Sequence, residues 1–195
     1  MNPANQAYHL LGNPFPGLRA FRDSESHLFF GREEHIADVR KKLEDNHFVA
    51  VVGTSGTGKS SLIRAGVLPN LLAEKSDEGS SIWELVTITP GNDPLLNLAN
   101  AIAPIVESDD IQAKQKRVFA LISENPLGLV QAFRGKIPKG KRLLILVDQF
   151  EEVFRFADED TQVHKDVYNH FVRILIDTMR QRDVPIYIIL TLRSD

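Results

Sequence analysis

The chain has 195 residues, 43% of them hydrophobic and 25% charged, with a formal net charge of −3. That length suits one domain with a real core, no stretch reaches the roughly 18 apolar residues needed to span a bilayer, and a slight acidic excess argues against a dedicated nucleic-acid binder. The absence of cysteine excludes disulfides and thiolate metal sites, and Met1-Asn-Pro-Ala-Asn-Gln6 lacks the basic start and apolar core of a secretion signal, so a cytoplasmic protein is expected.

Residues 1–31 alternate Pro, Gly and Asn with phenylalanines, in Asn13-Pro-Phe-Pro-Gly-Leu18 and Leu28-Phe-Phe-Gly-Arg32. Proline and glycine forbid a long helix there, while the aromatic rings need a surface to pack on, so this arm is expected to wrap over the domain that follows. Ile36, Val39 and Leu43 have the spacing of a core-facing helix over 33–45. Phe48-Val-Ala-Val-Val52 reads as a buried strand, and Ser61-Leu-Ile-Arg-Ala-Gly-Val-Leu68 as a helix. A second strand spans 82–89 and stops at Pro90-Gly91. Helices are then expected from Pro94 (with Leu95, Leu98, Ala99 and Ile102 inward) and over 111–123 and 126–134. Arg142-Leu-Leu-Ile-Leu-Val147 is apolar throughout, as a strand covered on both faces must be. A long helix over 161–182 carries Val163, Val167, Phe171, Ile174 and Leu175, and a fourth strand covers 185–192. Strands alternating with helices predict an α/β fold with a parallel sheet.

Between the first strand and its helix lies Gly53-Thr-Ser-Gly-Thr-Gly-Lys-Ser60, which matches G-x-x-x-x-G-K-[ST], the phosphate-binding loop. Glycines at 53, 56 and 58 free the backbone to turn its N–H groups, with those of Thr54, Ser55, Thr57 and Ser61, toward a β-phosphate. Lys59 reaches the β/γ oxygens and the Ser60 hydroxyl suits Mg²⁺. The third strand ends in Asp148-Gln-Phe-Glu-Glu152, an apolar strand tipped with acid. Asp148 there can hold Mg²⁺ opposite Ser60, and either Glu151 or Glu152 can orient a hydrolytic water, with Glu152 preferred. Arg193, at the tip of the fourth strand, would sense a γ-phosphate if that strand lies between the other two; Thr191 is a lesser polar candidate at that edge. The histidines show no metal-ligand spacing, and Lys136 to Arg142 reads as a solvated basic turn.

These strings, in this order, resemble the novel STAND NTPases, signalling relatives of the NACHT ATPases within the AAA+-like branch of P-loop proteins. The resemblance runs from Asn13-Pro-Phe-Pro through Phe30-Gly-Arg-Glu33, the phosphate loop and Asp148-Gln-Phe-Glu-Glu152 to Leu190-Thr-Leu-Arg193. It implies a three-layer P-loop fold, ATP or ADP with Mg²⁺, slow hydrolysis, and a regulatory switch in bacterial signalling or defence. It also implies that Phe30, Gly31 and Arg32 lie near the adenine. Family members continue into a fifth strand, a helical lid, a winged helix and C-terminal repeat or effector domains. The expected division is therefore an arm, 1–31, and a P-loop core, 32–195, that stops short of the fifth strand and lid and is prone to self-association. Two other readings stand beside this one: an AAA+-type ATPase acting on nucleic acid, which would call for a basic channel, and a nucleotide-binding interaction module without turnover. No membrane partner is expected.

Overall fold

A computed structural model describes residues 17, 19–75, 79, 81–106, 111–159 and 162–195, so the expected Asn13-Pro-Phe-Pro segment lies outside the described residues. The arm enters through a 3-10 turn, Asp23–Leu28, pinned at its start by Arg19. The Arg19 guanidinium makes two hydrogen bonds to Glu25, at 2.7 and 2.6 Å. That contact, followed by the Arg22 backbone N–H, pulls the Glu25 carboxyl down to about 2.

Helix α1, Glu33–Asn46, buries Val39 and Leu43 and delivers the chain into strand β1, Phe48–Gly53. The expected helix after the phosphate loop is present but not uniform. Segment α2 starts as Lys59–Ser61, widens into a π-helix over Leu62–Val67 and closes as Leu68–Leu72. Pro69 has no N–H to offer the carbonyl four residues back, and the wider turn absorbs that defect. Gly66 sits inside it because a Cβ there would come within 2.8 Å of Ile36 Cδ1 and 3.3 Å of Phe29 Cε1. The arm thus packs on α2 through Phe29, which Phe21 meets edge-on at 5.6 Å, as the aromatic composition of the arm led us to expect.

Strand β2, Trp83–Ile88, is followed by α3, Pro94–Val106, α4, Ile111–Glu124, and a short α5, Gly128–Phe133. Strand β3 is Arg142–Val147, α6 is Glu152–Glu159, α7 is Gln162–Arg180 and β4 is Ile186–Arg193. The described strands form one parallel sheet in the order β1-β4-β3-β2. Strand β4 therefore stands between the loop-bearing β1 and the acid-tipped β3, the arrangement on which the expectation for Arg193 depended. In this α/β fold, α3, α4, α5 and α7 cover one face of the sheet around Leu98, Ile102, Phe133, Phe171 and Ile174. Segments α1 and α2 cover the other around Leu43, Ile63 and Leu71. Each such side chain contributes about 1.5–3 kcal/mol on leaving water. Sandwiched so, β3 and β4 must be apolar on both faces, and from Leu143 to Val147 and Ile186 to Leu190 they are. Strand β1 forms one edge of the described sheet, and Val52 is 56% exposed there.

The end of the sheet remote from the phosphate loop carries an aromatic and cationic stack. His47 caps α1 in the left-handed conformation (φ 57°) and lies 4.1 Å from the Tyr187 ring, while Arg142 sits over Trp83 and Tyr187. Burial, then the charges of Arg182 and Arg142, lower the His47 pKa below its usual 6.5. The unfolded chain accepts this proton at a higher pH than the folded one, so the contribution of neutral His47 to stability is whole above 6.5 and declines as pH falls toward the depressed folded value. His47→Asn keeps a residue that tolerates the left-handed cap and removes the titration. Thermal melts between about pH 7 and about pH 5 should show a shallower loss of stability in the variant than in the parent. Parallel pH profiles would contradict this account.

Candidate functional site

The phosphate loop is shaped by two left-handed glycines. Gly56 has φ +77° and Gly58 φ +82°, values that side chains rarely adopt. Gly53 was expected to serve the same purpose, but its φ is ordinary. Its role is room, since a Cβ there would stand 3.1 Å from Thr57 Oγ1. Gly58 forms the N-cap of α2, and the axis of that helix is continuous with the loop. Lys59 folds back over the loop and donates to the carbonyls of Gly53 and Thr54, at 2.7 and 2.8 Å. The loop's own carbonyls thus hold the ammonium where an anion would otherwise attract it.

The loop opens on a cleft of about 630 Å³ lined by Arg19, Phe21, Lys59, Ser60, Glu151 and Arg193 among others. That volume falls in the range of small-molecule sites. The arm supplies one wall, and the Phe21 backbone N–H donates to Ser61 Oγ at 3.1 Å. Arg32 reaches the loop by donating to the Thr57 carbonyl at 3.3 Å. Phe30 and Gly31 do not line the cleft. The Phe30 ring is 76% exposed, and Gly31 turns the chain at φ +80° while its N–H bonds Glu33.

Asp148 is the centre of the polar network. Its side chain is only 6% exposed. Its Oδ1 accepts from Thr191 Oγ1 at 2.5 Å and from Ser60 Oγ at 3.2 Å. Its Oδ2 accepts from Arg64 Nη2 at 2.7 Å. A carboxylate and a hydroxyl in contact at the mouth of an anion-binding loop are the hard oxygen donors that Mg²⁺ takes, so the residues present fit that ion. Thr191 does more than an edge position suggests. Its hydroxyl also accepts from the Gln149 N–H at 2.9 Å, and its carbonyl accepts from the Phe150 N–H at 2.9 Å. β4 thereby grips the turn after β3, where Gln149 is left-handed at φ 59°.

That turn separates the two glutamates. Glu151 faces the cleft, its Oε2 accepting from the Arg193 backbone N–H at 3.2 Å. Glu152 points away: its Oε2 accepts from the Gly91 N–H at 2.9 Å, while Arg155 lies 3.6 Å from Oε1. Tyr168 OH bonds the Gly91 carbonyl at 3.1 Å and steadies the same loop. Of the two, Glu151 lines the cleft, whereas Glu152, the preferred residue from the sequence, ties α6 to the β2–α3 loop. Arg193 lines the cleft with its guanidinium on Asp195, at 3.1 Å from Oδ2. Asp195, held below the ordinary carboxylate range chiefly by that contact, also accepts from the Ser55 N–H of the loop at 3.1 Å.

The family model described as Novel STAND NTPase 1 matches residues 14–195. The chain belongs to that family. No curated protein matches it. Membership of a STAND NTPase family implies that the domain binds nucleotide. No helix among the described residues is long and apolar enough to cross a membrane. The site residues that sequence reasoning passed over are Arg64, Arg19 and Phe21. For Arg64 a signal existed, because Ser60 and Arg64 are four apart and so share a helical face. Arg19 and Phe21 carried none, since only folding brings the arm to the cleft.

Proposed function

We propose that this domain binds ATP or ADP together with Mg²⁺ and hydrolyses ATP slowly, as the regulatory switch of a bacterial signalling or defence protein. The observation that carries the reading is the contact between Ser60 and Asp148 at the mouth of the phosphate loop, inside a cleft of nucleotide size. Gly56, Gly58 and the first turn of α2 offer N–H groups to phosphate, and Lys59 needs only to leave two carbonyls to reach it. Ser60 and Asp148 would hold Mg²⁺, whose positive charge offsets that of the phosphates. Glu151 is the group that orients and accepts a proton from the attacking water, supported by its place in the cleft. Arg193 answers to the γ-phosphate, which would compete with Asp195 for its guanidinium. Arg32, bonded to the Thr57 carbonyl, is held beside the phosphate loop, while the placement of the base near Phe30-Gly31-Arg32 rests on the family alone. The exposed edge of β1 supports self-association or pairing with a further strand.

Titration with a fluorescent ADP, with Mg²⁺ and then with chelator, tests the reading. Binding should tighten with Mg²⁺, and Asp148→Asn should lose most of that gain while keeping the metal-independent part. A parent protein that binds neither ADP nor ATP would refute the proposal.

A further inference from the structure

Arg64 takes no part in the scheme above, yet its guanidinium lies 2.7 Å from the most buried carboxylate of the site. We propose that Arg64 is a built-in counter-cation, seated on Asp148 while the site lacks nucleotide and displaced when Mg²⁺ and nucleotide bind. It would thereby set the Mg²⁺ concentration at which the domain loads. The inference rests on the nucleotide-binding reading given above.

Asp148 is the starting point. A carboxylate this enclosed needs a positive partner, because hydrogen bonds from neutral hydroxyls do not offset a whole buried charge. The donors on Oδ1, Thr191 and Ser60, are both neutral. The nearby ammonium of Lys59 is turned to the carbonyls of Gly53 and Thr54. Arg64 therefore supplies the full charge, on the oxygen that Ser60 and Thr191 leave open.

The seat is a poor one, and that makes it reversible. A guanidinium matched to a carboxylate commonly bonds it through two nitrogens. Arg64 engages Asp148 through Nη2 alone, while its Nε is buried with no hydrogen-bond partner among the described residues. Leaving the seat would let that Nε regain water, which offsets part of the ion pair given up. The route is open, since the Arg64 side chain is 43% exposed although the Asp148 side chain it touches is almost wholly enclosed.

Helix spacing then sets the competition. Ser60 and Arg64 lie one turn apart on α2 and converge on the two oxygens of one carboxylate. A divalent cation held by Ser60 and Asp148 would meet the guanidinium across that carboxylate, and two cations so close repel. Apparent Mg²⁺ affinity is then lowered by the fraction of molecules in which Arg64 is seated.

Arg64→Met keeps much of the apolar stem and removes the charge. In a Mg²⁺ titration at fixed fluorescent ADP, its midpoint should fall roughly five- to tenfold, an effect of the size expected for one partly solvated charge. ADP affinity in chelator should stay within about twofold of the parent, because Arg64 touches Asp148 and not the loop. Without nucleotide, Mg²⁺ alone should raise the melting temperature of the variant more than that of the parent, since Asp148 there lacks its counter-charge. Arg64→Lys, which retains the charge, should keep a midpoint near the parent's, and it decides the matter if the Met variant does not fold. A midpoint unmoved or raised in Arg64→Met, or raised in Arg64→Lys, would mean that Arg64 positions Asp148 for the metal rather than competing with it, and would overturn the inference. A parent that binds nucleotide with clear Mg²⁺ dependence but shows no Arg64 effect overturns this inference alone. A parent that binds no nucleotide overturns both.

Discussion

Lys59→Ala is expected to weaken ATP and ADP binding by roughly 10- to 100-fold, the equivalent of about 1.5–3 kcal/mol for a hydrogen bond from a charged donor. The lysine can make this contribution because it is pre-placed. Its ammonium already arches over the phosphate loop, held by two backbone carbonyls at 2.7 and 2.8 Å. A phosphate entering the loop offers that ammonium a charged acceptor in place of neutral ones, which adds an ion pair to bonds its own charge already strengthens. Stability without nucleotide should hardly change, because the Gly53 and Thr54 carbonyls lie at a loop open to water. Equilibrium titration with fluorescent nucleotide and a thermal melt of the apo protein make the comparison. Parent-like affinity in the variant would remove the phosphate-loop assignment.

Glu151→Gln is expected to slow ATP hydrolysis about 10²- to 10³-fold with nucleotide affinity little altered, as loss of a general base does. Glu152→Gln should stay within a few-fold of the parent on both counts. The difference follows from where the two carboxylates sit. Glu151 is in the cleft beside the Arg193 backbone, whereas Glu152 closes the β2–α3 loop by accepting from the Gly91 N–H. A glutamine at 152 still has a carbonyl oxygen for that N–H, so the loop keeps its tether. Single-turnover hydrolysis with saturating Mg²⁺ and ATP separates the two variants. If Glu152→Gln is the slow one, the role falls to Glu152 and the first turn of α6 must rearrange on binding.

Much of this protein is legible in its residues because the relevant forces are local. The Gly53–Ser60 string needs left-handed backbone at Gly56 and Gly58, and no packing partner has to be known to see it. Apolar runs such as Leu143–Val147 and Ile186–Leu190 had to become covered strands, since such length and composition leave no other way to shed water. The stripe of Leu95, Leu98, Ala99 and Ile102 likewise determined a helix and its inner face. The position of β4 between β1 and β3 was a condition set for Arg193 and not a reading of the residues, and the strand order meets it. What tertiary structure alone decided is how neighbours in sequence divide their labour. Glu151 and Glu152 look interchangeable in the string, but the Thr191 clamp and the left-handed Gln149 set the rotation of the turn, turning one into the cleft and the other toward Gly91. The arm's Arg19 and Phe21 reach the cleft through contacts made in the folded chain, with Phe29 lying against Gly66 and the Phe21 N–H bonded to Ser61. Arg64 meets Asp148 across a separation of 84 residues. Periodicity and propensity describe a residue against its own element. Which charges meet across elements depends on the packing of β3, β4 and α2 against one another, and that is a property of the whole fold.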